Sequence, residues 1–159
     1  MYALSVKKEN AHNDAIWSCD WGRLTIGSQT EDGIGSPPPP SEEEDIMVTG
    51  GIDDMVKIWN YRDGEISLRH QLTDHSLGVV SVALSPDGTK LASSSLDSAI
   101  LLWDVENGIK IATMENGPVD AWTVLFSPDS LYIVSGSHSG MVNLYNCASG
   151  KAEHSLDTK

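Results

Sequence analysis

Short apolar runs alternate with small and polar residues along nearly the whole chain. In the middle stretch, VVSVALS (79–85), KLASSS (90–95), AILLWD (99–104) and KIATM (110–114) are each five to seven residues long. Runs of that length, rich in branched residues and bounded by turn signals, predict strands. The boundaries carry turn chemistry. In Ser85-Pro86-Asp87-Gly88 the proline suits the second turn position and the glycine can take positive φ. Glu106-Asn107-Gly108 closes a hairpin, and its Asn-Gly pair predicts a type I′ turn. WTVLFS, LYIVSG, MVNLYN and AEHSL repeat the pattern over 122–156, and AIWSCDW, IMVTG, MVKIWN and ISLRHQL precede it over 15–72. Helical spacing is sustained nowhere, so the predicted class is all-β.

The pattern has a period. Trp59 and Trp103 lie 44 residues apart, and Trp103 and Tyr145 lie 42 apart. Asp53, Asp97 and Ser139 keep the same two intervals, as do the turn glycines Gly64, Gly108 and Gly150. A period of about 40–45 residues with a Trp-Asp ending is the signature of WD propeller blades, each of four strands. On these markers the chain resembles the WD-repeat family over essentially its whole length. The fold expected is an incomplete WD-repeat β-propeller of about three blades. Blade 1 spans 11–73, blade 2 spans 74–115, and a degenerate blade 3 spans 116–157. Residues 1–10 read as a spare strand of the kind that closes such rings. Three units account for the chain, so it reads as a fragment or short isoform of a protein of roughly 300 residues. Left open, such a ring would expose strand edges and apolar faces and is expected to aggregate or pair.

The resemblance implies a buried polar brace in each blade. It falls on His12, Thr49, Asp53 and Trp59 in the first and on His75, Ser93, Asp97 and Trp103 in the second. The aspartate would accept from the histidine, the histidine would bond the hydroxyl, and the hydroxyl would take the indole N–H. Ser, His and Asp also make a hydrolase's catalytic set. Here the set occurs twice at one register, and no G-x-S-x-G elbow is present, so the expectation is a structural brace and no enzyme. In blade 3, Gly117, Ser139 and Tyr145 replace three of the four brace residues, leaving Ser135. Packing by Val124, Phe126, Ile133, Val142 and Leu144 is expected to hold that blade.

Composition narrows the function further. Ten basic residues against 23 acidic give a net charge of −13, which disfavours direct nucleic-acid binding. The two cysteines and five histidines show no metal-ligand spacing, so no metal or cofactor is expected. No run approaches 18 apolar residues and MYALSVKKEN lacks signal-peptide character, so the chain reads as intracellular with no membrane span. Residues 22–45, GRLTIGSQTEDGIGSPPPPSEEED, read as a disordered insertion in blade 1. Ser41 there stands before three glutamates, as in acid-directed phosphorylation sites.

The strings HNDAIWSCDW, SLGVVSV, ASSSLDSAILLWDVENG, NGPVDAWTVLFSPDS and SGKAEHSLDTK resemble the WD-repeat subunits of the superkiller complex. That resemblance implies a scaffold without catalysis, bound to a tetratricopeptide scaffold and an RNA helicase and supporting exosome-mediated 3′-to-5′ mRNA decay. It also implies membership of the Paf complex in transcription elongation, hence both cytoplasm and nucleus. The alternative is a substrate adaptor, as for a ubiquitin ligase. Partner contacts are expected at one loop face. Ile52 and Leu96 precede the brace aspartates, and Trp17, Val80 and Trp122 share a register, with Leu77 and Asp120 beside them. Large apolar residues in loops mark interfaces, and aromatics anchor them.

Overall fold

The computed structural model describes residues 7–26, 42–114 and 121–157. Those residues form three four-stranded antiparallel sheets and no helix. The first is β1 (Ile16–Ile26), β2 (Glu42–Gly51), β3 (Val56–Arg62) and β4 (Glu65–Leu72). The second is β5 (Val79–Leu84), β6 (Lys90–Ser95), β7 (Ile100–Asp104) and β8 (Ile109–Thr113). The third is β9 (Ala121–Phe126), β10 (Tyr132–Ser137), β11 (Met141–Asn146) and β12 (Ala152–Asp157). Within each sheet the strands follow chain order. β1 lies against β5, and β5 against β9, so the sheets fan out from their first strands.

Two apolar seams hold the fan together. Val48, Val56 and Ile58 of the first sheet meet Val82, Leu84, Leu91, Leu101 and Trp103 of the second. Ala83, Ala92, Ile100 and Leu102 of the second meet Val124, Ile133 and Tyr145 of the third. Ile58, Leu91, Leu102 and Ile133 are each fully enclosed. A side chain of this size stabilises by roughly 1.5–3 kcal/mol when removed from water. The cross-strand register puts each seam's residues on one face. Leu84, Leu91 and Trp103 share a row, and so do Ala83, Ala92 and Leu102. The middle sheet is therefore apolar on both faces, unlike a half-solvated sheet.

The turns carry one correction. The Ser85–Gly88 turn closes as expected, with the Gly88 N–H donating to the Ser85 carbonyl at 2.8 Å. The Asn107-Gly108 turn is not type I′. Gly108 has φ 66°, but Asn107 is not in the left-handed region. The Gly108 N–H reaches back to the Asp104 carbonyl at 3.0 Å, and the Asp104 carboxylate accepts from the Asn107 amide at 2.8 Å. The side-chain bond favours a longer loop with a single left-handed glycine. The type I′ pair occurs instead at Asp63 and Gly64, with φ 53° and 83°, between paired Arg62 and Glu65.

A second correction concerns the insertion. Residues 22–26 and 42–45 are strand, zipped from Gly22↔Ile46 to Ile26↔Glu42. Leu24 and Ile46 are buried in the first seam. Arg23 donates to Glu43 and Asp45 at 3.0 Å each, and Arg69 to Glu44 at 2.6 Å. Cross-strand charge pairs of this kind favour the extended register. The acidic run is thus partly neutralised by its hairpin partner Arg23 and by Arg69 of β4. Residues 27–41, Ser41 among them, lie outside the described residues. Residues 7–10 form no strand, and the rest of the expected 1–10 strand lies outside the described residues.

Gly88 sits where the second sheet's turn meets the first sheet. Its φ is 71°, and a Cβ there would lie 1.9 Å from the Arg23 carbonyl oxygen, a backbone atom. The Gly88→Ala variant is expected to lose about 2 kcal/mol or more, from the left-handed conformation and the displaced backbone together. Urea unfolding of both proteins measures this, and a loss within a few tenths of a kcal/mol would refute the contact.

Candidate functional site

In the first sheet His12 Nδ1 lies 2.7 Å from Asp53 Oδ1, and its Nε2 lies 2.8 Å from Thr49 Oγ1. The Trp59 indole N–H donates to the same Thr49 oxygen at 2.9 Å. In the second sheet His75 Nδ1 lies 3.0 Å from Asp97 and its Nε2 2.8 Å from Ser93 Oγ. The Trp103 indole donates to Ser93 Oγ at 2.8 Å. One proton assignment satisfies each chain. The neutral histidine donates from Nδ1 to the carboxylate, the hydroxyl donates to Nε2, and the hydroxyl oxygen accepts the indole.

Local backbone places these groups. Thr49–Trp59 and Ser93–Trp103 each bridge the second and third strands of a sheet. The aspartates sit in the turn between those strands, each followed by a left-handed residue, Asp54 (φ 66°) or Ser98 (φ 69°). Asp97 also accepts the amides of Ser76 and Ala99, both at 2.9 Å. Asp53 accepts the Asn13 amide at 2.9 Å. Burial pushes both carboxyls up. For Asp97 the Ser76 and Ala99 amides and then His75 outweigh it, and for Asp53 His12 and the Asn13 amide do. Both acids therefore sit below their ordinary value. Burial pulls the His75 imidazole down, against the opposing pull of Asp97.

These sets are closed to solvent. The His12 and His75 side chains are 0% and 1% exposed, and Ser93 is fully buried. Among the described residues no cluster of three or more His, Cys, Asp or Glu side chains could hold a metal ion.

The third sheet is built differently. Ser139 bonds Ser137 at 2.7 Å. The Tyr145 hydroxyl is directed at Ser135, yet neither buried hydroxyl closes a hydrogen bond among the described residues. Burial raises the Tyr145 phenol, and the nearby Ser135 hydroxyl only partly offsets that. Gly117 lies outside the described residues. Val124 and Ile133 pack in the second seam, with Phe126 against it. Val142 and Leu144, expected to stabilise the same core, instead line a groove on the outer face.

Of the loop-face residues, Trp17, Leu77, Leu96 and Trp122 are about half exposed, at 47%, 51%, 46% and 50%. Ile52 is partly buried. Its amide donates to the Ala15 carbonyl and its Cα approaches Gly78, while the Leu96 amide donates to the Gly78 carbonyl. These bonds bring the loops around Trp17, Ile52, Leu77 and Leu96 to one end of the fan. Val80 is buried at 9% exposure. The β-bulge at Val80 recurs at Trp17 and Trp122, but the shorter Val80 side chain does not contribute to the exposed surface. Asp120 lies outside the described residues.

Sequence reasoning missed Ser18, Asp20 and Ser81. Ser18 Oγ accepts the Val82 amide at 3.1 Å, Asp20 the Leu84 amide at 2.8 Å, and Ser81 Oγ the Val124 amide at 3.2 Å. Each ties a first strand to the next sheet's first strand. The signal was available, since Ser18 and Ser81 hold equivalent places before the brace hydroxyl's strand partner.

Residues 66–104 and 109–146 match the WD40 family, described as WD domain, G-beta repeat. The chain is 35% identical over 156 residues to WD repeat-containing protein SL1-17 of Schistosoma mansoni, covering 98% of this chain and 47% of that protein. It is 34% identical over 142 residues to WD repeat-containing protein VIP3 of Arabidopsis thaliana, covering 89% of this chain and 39% of that protein. With the COMPASS component SWD3 of Saccharomyces cerevisiae it shares 32% over 114 residues, 66% of this chain and 36% of that protein. The chain belongs to the WD-repeat family. Its three sheets are blades of an incomplete WD-repeat propeller, and it spans less than half the length of these relatives.

In the second WD blade, Ser93→Ala removes the hydroxyl that both His75 Nε2 and the Trp103 indole use. Two buried groups lose their partner, at about 1–3 kcal/mol each. The expected loss is about 2–4 kcal/mol by urea unfolding, against little change for an exposed site such as Ser149→Ala. The His75 imidazole is held below its unfolded pKa of about 6.5. Its stabilisation is complete above that value and is lost as pH falls through it towards the folded pKa, because the unfolded chain takes the proton first. The thermal midpoint is expected to drop as pH is lowered from about 7.5 to about 5.5. His75→Gln should be less stable at the upper pH and show a shallower slope, which differential scanning calorimetry would read.

Proposed function

We propose that this WD-repeat chain is a protein-binding scaffold that receives a short segment of a partner at the loop end of its blades. One observation carries the reading. Trp17, Leu77, Leu96 and Trp122 each leave about half their surface in water, although burying it would be favourable by roughly 25 cal/mol per Å2. Rigid aromatics in that position are effective anchors, since two χ angles cost little entropy to fix. Val80, Ile52 and Leu77 differ in role. Leu77 contributes contact area, Ile52 supports the loop from beneath, and Val80 belongs to the core. Asp120 is kept as a flanking contact on its place in the sequence beside Trp122.

The finer reading is a subunit of the superkiller complex, with tetratricopeptide and RNA helicase partners in mRNA decay, and of the Paf complex in transcription elongation. Its support is the string resemblance over all three blades. Having a COMPASS component among the relatives supports a place in a multi-subunit assembly. The same reading puts the protein in both nucleus and cytoplasm and leaves RNA contact to its partners, in keeping with the net charge of −13.

Affinity purification of the tagged chain from its own cells, with a Trp122→Ala variant in parallel, tests both levels. Helicase and tetratricopeptide proteins, or Paf subunits, should copurify with the wild type. The variant should lose them at least tenfold while its thermal midpoint stays within about 2 °C, since exposed substitutions change stability little. Ubiquitin-ligase subunits in their place would replace the finer reading. Unchanged recovery with Trp122→Ala would remove the loop-end site.

A further inference from the structure

Three buried polar atoms lie together in the second seam without a partner. Ser135 Oγ, Asn143 Nδ2 and Tyr145 Oη close no hydrogen bond among the described residues. Ser135 and Asn143 face each other across the β10–β11 ladder, and Tyr145 follows Asn143 by two residues, so all three side chains share one face. The three residues are 0%, 4% and 0% exposed. Tyr145 packs with Ile133 against Ala92 and Leu102 of the second sheet. Both enclosing sheets thus belong to this chain, whatever lies before or after it.

The other two blades show what occupies this place. Thr49, Lys57 and Trp59 hold the same positions in the first sheet, and Ser93, Leu101 and Trp103 in the second. There the hydroxyl has two partners, an imidazole Nε2 at 2.8 Å and an indole N–H at 2.9 or 2.8 Å. Lys57, in the place of Asn143, reaches the Ala11 carbonyl beside His12 at 2.7 Å. A side chain at that position therefore has access to the histidine's surroundings. The third blade's sequence carries no histidine at the equivalent position. Unmet polar groups are costly in an interior, and a cluster of them is where proteins hold internal water.

We infer that one buried water molecule takes the histidine's part in the third blade, bridging Tyr145, Asn143 and Ser135. The Tyr145 hydroxyl and the Asn143 amide donate to its oxygen, and it donates to Ser135 Oγ. Internal waters typically make about three such bonds, which these donors and acceptor supply. The Tyr145 phenol is then a working member of a water-completed brace. Phenylalanine would fill the same space in the seam but could not hold the water. The site lies in the interior, so it goes beyond the scaffold reading and is independent of the loop-end surface.

A crystal structure of the 159-residue chain, with urea unfolding of Tyr145→Phe, Ser135→Ala and the double variant, tests it. Density for a water within hydrogen-bonding distance of Tyr145 Oη, Asn143 Nδ2 and Ser135 Oγ is expected. Tyr145→Phe should raise the unfolding constant about fivefold. The double variant should lose less than the two single losses combined, because both hydroxyls hold the same water. No density between the three atoms, or the two hydroxyls in direct contact, would overturn the inference. Tyr145→Phe as stable as the wild type would do the same, since removing an unpartnered hydroxyl costs nothing. Additive single losses would also sink it, by showing that the two hydroxyls share no partner.

Discussion

A single hydroxyl oxygen in each of the first two blades carries the tertiary order around it. The Thr49 or Ser93 oxygen gives its proton to an imidazole and takes one from an indole, joining a residue before the first strand to one on the third. The imidazole then ties to an aspartate in the intervening turn, and that carboxylate collects backbone amides. Every polar group is paired in an interior where an orphan would cost 1–3 kcal/mol. Arrangement, rather than the strength of any one bond, makes the set specific: a tryptophan packed at any other register could not reach the oxygen.

The third blade shows what happens without that oxygen bridge. Tyr145 is smaller than the tryptophans but as deeply buried, so an aromatic ring still packs in the second seam, while its hydroxyl closes no hydrogen bond with Ser135. Apolar packing is tolerant of such exchange, whereas a hydrogen-bonded set is not. Position in the stack is thus preserved by shape and seam chemistry after the polar brace has gone. The seams also have polarity, because each sheet offers a different face to the neighbour before it and the neighbour after it.

Much of this architecture was legible in the sequence because two periodicities coincide. Alternation within a strand fixed which side chains share a face, and the recurrence of Trp59, Trp103 and Tyr145 fixed where each sheet ends. The brace residues came from the resemblance to WD repeats that those markers carry, not from the periodicity itself. Four features were not read from the sequence, each for a physical reason. The 22–26 and 42–45 segments looked like a loop because the second is wholly acidic and four prolines lie between them; Leu24 and Ile46 hold them in the seam, and ion pairs across the rungs settle the register. Val80 looked equivalent to Trp17 and Trp122 and does share their β-bulge, but its shorter side chain stays covered where the two indoles reach water. The Asn107-Gly108 pair suggested a tight hairpin, and the Asp104 carboxylate selected a wider one. Ser18 and Ser81 were overlooked because a hydrogen bond between sheets leaves no mark within either strand, and only their equivalent places in the repeat connect them.

The long hairpin of the first blade also decides where the molecule tolerates change. Its strands run past the point where the Gly88 turn touches the Arg23 and Leu24 backbone, and they stay in register out to the Ile26–Glu42 rung. The Thr25–Glu43 and Ile26–Glu42 rungs therefore lie beyond that backbone contact. Added length there raises closure entropy only logarithmically, about 0.6 kcal/mol per doubling. A fluorescent reporter or an epitope tag spliced between Ile26 and Glu42 would leave the locked Gly88 contact and the paired strands behind it unchanged.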